Sequence, residues 1–502
     1  MMKRIVTVII IIMVGAAWGH TAERKFYVSP KGKDNASGSK TSPWKTIQKA
    51  VNTVTPGSTI YIREGTYNEK VSIEVSGKEG KWIELRAQPG EKVVISGEGL
   101  KVKDTEALIN IRNQNYIRIK GLEIQGLNAD QKGVVPIGVF INGWGDHIEL
   151  IDLDIHHIET RFTGKNGGDA HGLAVYGDDG TKPIRNILID GVTIRNCRLG
   201  SSESMVLNGN VQDFVVRNCV VHDNNNIGID FIGHEKVCPN PGLDQARNGV
   251  CRNNRVYNIS SKGNPAYGKD LAAGGIYVDG GYDILIECNT VFDCDIGIEI
   301  ASEHKGKSTH DIIVRNNLIV SSYQSGIMMG GYAANKGSAE KVSVIGNTLV
   351  HNDKAKWEQG EICFQHHVKD CVIINNIIRP LDQWGKGICI GGKEGENVRI
   401  DYNLYDNSTA PNLIWKLLMK QKQETKKKQK IEFDKWQELG HDKHGLVANP
   451  QFEDVASRKF SLKSSSPAVN RGTDETETGD KDLSGNPRKK GTHIDIGAFE
   501  CK

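Results

Sequence analysis

The chain has 502 residues, with 64 Lys and Arg against 61 Asp and Glu, for a net charge of +3. That balance excludes the strongly basic footprint of a nucleic-acid binder. Gly is abundant at 56 residues and aromatics make up only 6%, which fits many tight turns around short strands.

Residues 1–22 are expected to form a cleavable secretory signal. Lys3 and Arg4 are its charged start, Ile5 to Ala17 its apolar core, and Ala17-Trp18-Gly19 a small-x-small cleavage site. The core is shorter than the ~20 residues that a membrane span needs. No other segment is apolar enough to span, so the mature protein is expected to be secreted or periplasmic and monomeric. Ten Cys in an exported chain invite a disulfide reading. However, Cys197 and Cys219, and likewise Cys363 and Cys389, read as equivalent repeat positions, which points to stacked free thiols. Cys238 and Cys251 bracket one loop and are the best disulfide candidate.

Residues 23–80 read as strand, amphipathic helix, strand. Ile47, Ala50, Val51 and Val54 share one helical face after Ser42-Pro43. This segment is expected to cap the open end of a repeat stack.

Residues 81–410 carry the repeat. An Asn follows a β-rich run at Asn196, Asn218, Asn254, Asn289, Asn317, Asn347, Asn376 and Asn403, with spacings of 22, 36, 35, 28, 30, 29 and 27. Helical repeats need long apolar runs at a 3.6-residue period, and those are absent. Irregular spacing suits a coil of three short strands per turn with loops of variable length. An Asn at one turn of every coil forms a side-chain amide ladder and tolerates left-handed backbone angles. The expected fold is therefore all-β, a right-handed parallel β-helix. A β-propeller is the alternative, but its ~40–45-residue blades are missing.

Three phrases at the centre of the coil start with Gly-Ile and then alternate: Ile227–Glu235, Gly274–Gly281 and Gly297–Lys305. Registering the coils on Gly-Ile gives a first outward column of Phe140, Ala174, Val206, Asp230, Tyr277, Glu299, Met328 and Cys363. The second is Asn142, Tyr176, Asn208, Ile232, Asp279, Ala301, Gly330 and Gln365. Coils lie ~4.8 Å apart and alternate residues ~6.6 Å along a strand, which puts Asp230 roughly 9–10 Å from Glu299 and Asp279 roughly 8 Å from each. His234 and Glu303 come next outward, followed by Glu235, His304 and Lys305. Most acids on a β-helix are merely solvated. Acids on three consecutive coils of one face repel one another and raise pKa values, so this patch is the candidate site. Asp169, His171, His366 and His367 extend it. The loop 236–273, with Arg247, Lys262, Tyr267 and Lys269, is placed to wall it. No zinc, phosphate-loop or Gly-x-Ser-x-Gly spacing occurs.

Residues 411–502 form a charged excursion with some helix, followed by a closing segment that ends Ile494-Asp495-Ile496-Gly497-Ala498-Phe499-Glu500. This segment is expected to cap the last coil.

The run Ser42-Pro43-Trp44-Lys45-Thr46-Ile47-Gln48-Lys49-Ala50-Val51 through Gly65-Thr66-Tyr67 resembles exported β-helix proteins related to polysaccharide lyase family 9, the pectate-lyase-like group. The resemblance implies a Ca²⁺ site of Asp residues and a Lys base that removes the proton α to a uronate carboxylate. By position, Asp230, Asp279 and Glu299 are the candidate ligands, and Lys305 and Lys269 the nearest bases. The same residues serve as catalytic candidates. His234, Glu235, Tyr277, Glu303, His304, Tyr176, Asn208 and Arg247 are the substrate-binding candidates. The expected function is a polysaccharide lyase acting on a uronate or pectin-type polymer. The alternatives are a β-helix glycoside hydrolase using paired carboxylates without a cofactor, and a non-catalytic carbohydrate-binding surface protein.

Overall fold

A computed structural model describes residues 24–164, 166–381, 389–393, 395–406, 415–417 and 429–501. The expected signal, 1–22, and the charged run 418–428 lie outside these residues. No helix among the described residues is long and apolar enough to cross a membrane.

The strands form two long parallel ladders, one of 23 strands and one of 13. This is the expected right-handed parallel β-helix and not a propeller. One coil is typical: Gly274–Asp279, Tyr282–Glu287 and Thr290–Phe292 follow one another around the axis. Each pairs with its counterpart one coil on. Their inward side chains, Ile276, Val278, Ile284, Ile286 and Val291, are all 2% exposed or less. Each such burial contributes about 1.5–3 kcal/mol, and stacking repeats it coil after coil.

The Gly-Ile phrase has a steric cause. Its glycines stand at a corner where consecutive coils approach closely. A Cβ on Gly297 would lie 2.3 Å from the Gly326 carbonyl oxygen, and one on Gly228 would lie 2.4 Å from that of Gly275. At these two positions any larger residue would push the next coil away.

The amide ladder runs from Asn254 through Asn289, Asn317, Asn347 and Asn376 to Asn403. Each side-chain Nδ2 donates to the next Oδ1 at 3.0 Å. Asn196 and Asn218 are corrections. Cys219, not Asn218, occupies the ladder row, donating its backbone N–H to Asn254 Oδ1 at 2.9 Å. Asn218 sits one residue earlier at φ 54°. Asn196 belongs to a different turn, where the next residue, Cys197, bonds Asn224. Cys197 and Cys219 are therefore not equivalent, and Cys363 pairs with Gly391, not Cys389. All ten Cys are free. The Cys238–Cys251 pairing is not formed: Cys251 lies buried against Asn254 Nδ2, and Cys238 faces the Asp179 carbonyl.

Both ends are covered. The helix Ile47–Val51 buries Ile47, Ala50 and Val51, and Glu69 accepts its first backbone N–H groups, Ile47 and Gln48. Its flanking strands are already part of the coil: Arg24–Val28 pairs with Ser58–Ile62, which pairs with Ile83–Ala87. The boundary expected near residue 81 thus falls inside one continuous ladder. At the other end, the helix Phe433–Glu438 buries Trp436. The closing segment does not cap the last coil. It runs along the flank, where Asn316 donates to the Thr478 and Lys481 carbonyls, Asn375 donates to that of Thr473, and Ala498 donates to Thr348.

Candidate active site

The predicted outward column is correct in register. Phe140, Ala174, Val206, Asp230, Tyr277, Glu299, Met328 and Cys363 pair in that order. The column is not an open surface, however. Loops fold over it and leave a cavity of about 440 Å³.

The segment 236–273, expected as one loop, is interrupted by the coil strands Arg247–Arg252 and Arg255–Ile259, which leaves two shorter loops; the second brings Tyr267 to the cavity, and both are held by polar anchors. Asp244 accepts the backbone N–H groups of Lys236 and Cys238. Asn264 donates to the Gly200 and Asn225 carbonyls, and Asn226 donates to the Tyr267 hydroxyl at 3.1 Å. These bonds set the Tyr267 ring against the cavity. Arg247, expected to bind substrate, is an anchor outside the cavity lining. Its guanidinium donates to Asn210 Oδ1, Gln212 Oε1 and two loop carbonyls.

Of the predicted residues, Asp230, Asp279, Glu235, Glu303, Tyr176, Tyr277 and Asn208 line the cavity, as do Asp169 and His171. His304 stands at the rim, with Nε2 3.7 Å from Glu235 Oε1. His234, Glu299, Lys305 and Lys269 are not in the lining. The two lysines sit on exposed loop positions, and no Lys or Arg appears among the lining residues. Glu299 lies one coil past Tyr277, its neighbour in the column.

One acid was missed. Glu203 lines the cavity, and its Oε2 lies 3.5 Å from His171 Nδ1. It occupies the row just before the corner, where its neighbours in register are His171 and Ile227. That row precedes the Gly-Ile phrase, and in this coil Ser204 stands in the corner row between Gly172 and Gly228. Extending the register one residue back would have found it.

Burial dominates the electrostatics. Asp230 is 2% exposed, Asp279 5% and Glu203 9%, so desolvation disfavours their charged forms. It pushes Glu203 up to about 8, helped by Glu235 and Asp169. Asp230 is held well above the usual carboxylate range by burial, then by Glu203 and Asp279. Asp279 is raised by burial and Glu303, but the Glu303 backbone N–H bonded to it pulls the other way. Asp230 Oδ1 has no partner at all. Burial lowers His171 to about 4, so it is neutral. Its Nε2 meets the Tyr176 hydroxyl at 3.3 Å.

The expected Ca²⁺ set does not fit. Ca²⁺ takes about 6–8 oxygen ligands at short range. The ligand atoms of Glu235, Asp279 and His304 lie within 4.8 Å of one another, but Asp230, Asp279 and Glu299 form no such group. Of the three, only Asp230 and Asp279 line the cavity.

Residues 26–175 match the family model of the Pel9A-like right-handed β-helix region, and residues 211–360 match that of disaggregatase-related proteins. The protein YwoF of Bacillus subtilis (strain 168) is 39% identical over 446 residues, 88% of this chain and 91% of that one. Pectate lyase PEL9 of Emericella nidulans is 32% identical over 191 residues, 36% of this chain and 45% of that one. The solved structure of pectate lyase Pel9A superimposes with a TM-score of 0.41 at 13% identity, covering 96% of this chain and 97% of that one.

Proposed function

The chain belongs to the family of Bacillus subtilis YwoF and has a Pel9A-like right-handed β-helix, and from this premise we propose that it cleaves glycosidic linkages of an extracellular polysaccharide or glycan, using carboxylates as acid and base. The observation that carries the reading is the gathering of Asp230, Asp279 and Glu203 in one cavity.

Asp230 and Asp279 have split environments. Asp279 Oδ1 accepts a backbone N–H, which favours its charged form, while Asp230 Oδ1 accepts nothing. The first proton to leave the pair therefore leaves Asp279. Asp230 keeps its proton and is the general acid that protonates the glycosidic oxygen. Asp279 is the carboxylate that faces the anomeric carbon or activates water beside it. Glu203, protonated near neutral pH, keeps a further negative charge out of the cavity.

A uronate lyase is the second reading, favoured by the identity to pectate lyase PEL9. The decisive assay is product analysis over a panel of polysaccharides. Saturated reducing sugars, lost in Asp230→Asn and Asp279→Asn, support the carboxylate reading. Unsaturated products absorbing in the ultraviolet replace it with the lyase. An extracellular or periplasmic location, expected from residues 1–22, suits a polymeric substrate.

A further inference from the structure

We propose that the cavity takes the uncharged end unit of a glycan, a neutral sugar and not a uronate, and that the enzyme works from the chain end. This rests on the glycan-cleaving reading and names its substrate class and mode.

The first argument is charge. Asp169, Glu203, Asp230, Glu235, Asp279 and Glu303 all face the cavity, and its lining includes no Lys or Arg. Lys336 reaches Glu303 at 4.0 Å from outside that lining. Its ammonium also lies over the Tyr332 ring. Even with Asp230 and Glu203 protonated, a uronate carboxylate entering here meets the Asp279 carboxylate, with no Lys or Arg in the lining to receive it.

The second argument is hydrogen bonding. Asp230 and Asn208 are each 2% exposed, and the Oδ1 of each is without a partner. Both face the cavity. Buried acceptors left in this state need donors. Sugar hydroxyls are donors and a carboxylate is not. The tyrosine rings 176, 267 and 277 supply the apolar walls that sugar C–H faces require.

The third argument is shape. A polymer cleaved internally needs a groove open at both ends. Here Phe140 and Tyr176 meet edge to face at 5.7 Å on the upstream coils. Ile227, on the coil of Asp230, packs with Tyr277 and Ala301 of the next two coils in a buried apolar cluster. Aromatic side chains thus stand on either side of Asp230 along the outward face, with Tyr176 and Tyr277 in the cavity lining. The volume of about 440 Å³ sits toward the small end of ligand cavities.

Matched sugar pairs test the proposal. Glucose with glucuronic acid, galactose with galacturonic acid, and xylose and arabinose alone are titrated into the full-length protein, followed by calorimetry and ligand-observed NMR. At least one neutral sugar is expected to bind, and its uronic acid partner to bind about tenfold more weakly or worse, a difference of ~1.4 kcal/mol. Glu235→Gln and Asp169→Asn each remove one lining charge and should narrow that gap. With oligosaccharides tagged at one end, products should appear from a terminus while the long chains persist. Equal or tighter uronate binding, with or without added Ca²⁺, overturns the proposal. So do binding by none of the neutral sugars, a gap unmoved in both variants, and internal cleavage. Neutral-sugar binding with no cleavage of any glycan would defeat the glycan-cleaving reading and leave this one standing. Cleavage of a uronate polymer would do the reverse.

Discussion

The backbone N–H of Glu303 donates to Asp279 Oδ1 at 2.8 Å, whereas Asp230, facing the same cavity one coil away, has an Oδ1 with no donor. Two acids of one type thus hold their protons differently. Asp230→Asn and Asp279→Asn should each cost ~10²–10⁴-fold in kcat, the range for a lost general acid or base. Their residual pH profiles should differ. The alkaline limb belongs to the acid that must keep its proton, so it should vanish in Asp230→Asn. The acidic limb should vanish in Asp279→Asn. If one substitution removes both limbs, the assignment fails.

Stability should depend on pH in a sense opposite to that of a salt-bridged protein. Glu203 and Glu299 are raised from 4.5 to about 8 by burial. The folded state therefore binds protons that the unfolded state has released, and stability falls as pH rises from about 4.5 to about 8. The histidines oppose this. His171 and His234 are lowered from 6.5 to about 4, so protonation of the unfolded state costs stability below about 6.5. The Tm should rise from pH 8 down to about 6.5 and flatten or fall below that. Glu203→Gln should raise the Tm at pH 8 and reduce the slope. A Tm that rises steadily toward pH 8 would contradict the buried-acid account.

Glu299 separates register from site. It is 7% exposed and aligned with the acids, yet it is not in the cavity lining. Glu299→Gln should keep most turnover while raising stability at pH 8, since it removes a poorly solvated charge. Loss of turnover equal to that of Asp279→Asn would extend the site by one coil.

Chelation tests the expected Ca²⁺ set directly. With no convergence of Asp230, Asp279 and Glu299 on one point, activity should survive exhaustive treatment with a chelator. Activity that disappears and returns only with Ca²⁺ would show that a cation gathers groups the free protein keeps apart.

The ladder makes a fifth prediction. Asn317→Ala removes a fully buried amide that donates to Ile286 and Asn347. It should cost roughly 1–3 kcal/mol in denaturant melts. Asn196 is exposed, at φ 52°, and Asn196→Gly should change stability by no more than about 1 kcal/mol.

The strand columns were legible in the sequence because period two and the Gly-Ile corner are local signals. Asp230, Asp279 and Tyr277 were placed in the correct rows from these signals alone. Glu203 escaped because it stands in the row before the corner, outside the two outward columns that the Gly-Ile register defines. Asn196 was misassigned because Arg-Asn-Cys recurs at two different turns, and a short motif does not say which turn it occupies. Lys269 and Lys305 lie on loops, and Arg247 opens the strand Arg247–Arg252 where a loop joins it; the direction of such side chains is set by partners far along the chain. Arg247, for instance, bonds Asn210 at a separation of 37 residues. The closing segment reaches Asn316 across 162 residues, and no periodicity records such a contact. The cover over the acidic face was likewise invisible, because a strand pattern shows which side chains point outward but not whether a loop lies on them.

The amide ladder has a direction. Every Asn passes a donor to the next coil, so the last one, Asn403, must find an acceptor that passes nothing on. It finds Asp442, whose Oδ1 takes the Asn403 amide at 3.0 Å while Oδ2 takes the Tyr405 hydroxyl and the Trp436 indole N–H. A carboxylate in this place acts as a terminator. The row of hydrogen bonds cannot be copied by another molecule stacked on that end, so the molecule is protected against growing into a fibre. Within the row the rungs are interchangeable. A whole coil inserted between Asn289 and Asn376 would be read in the same sense as its neighbours, whereas part of a coil would break the sequence of donors. Such a molecule can gain length in its middle by complete turns while both of its ends stay as they are.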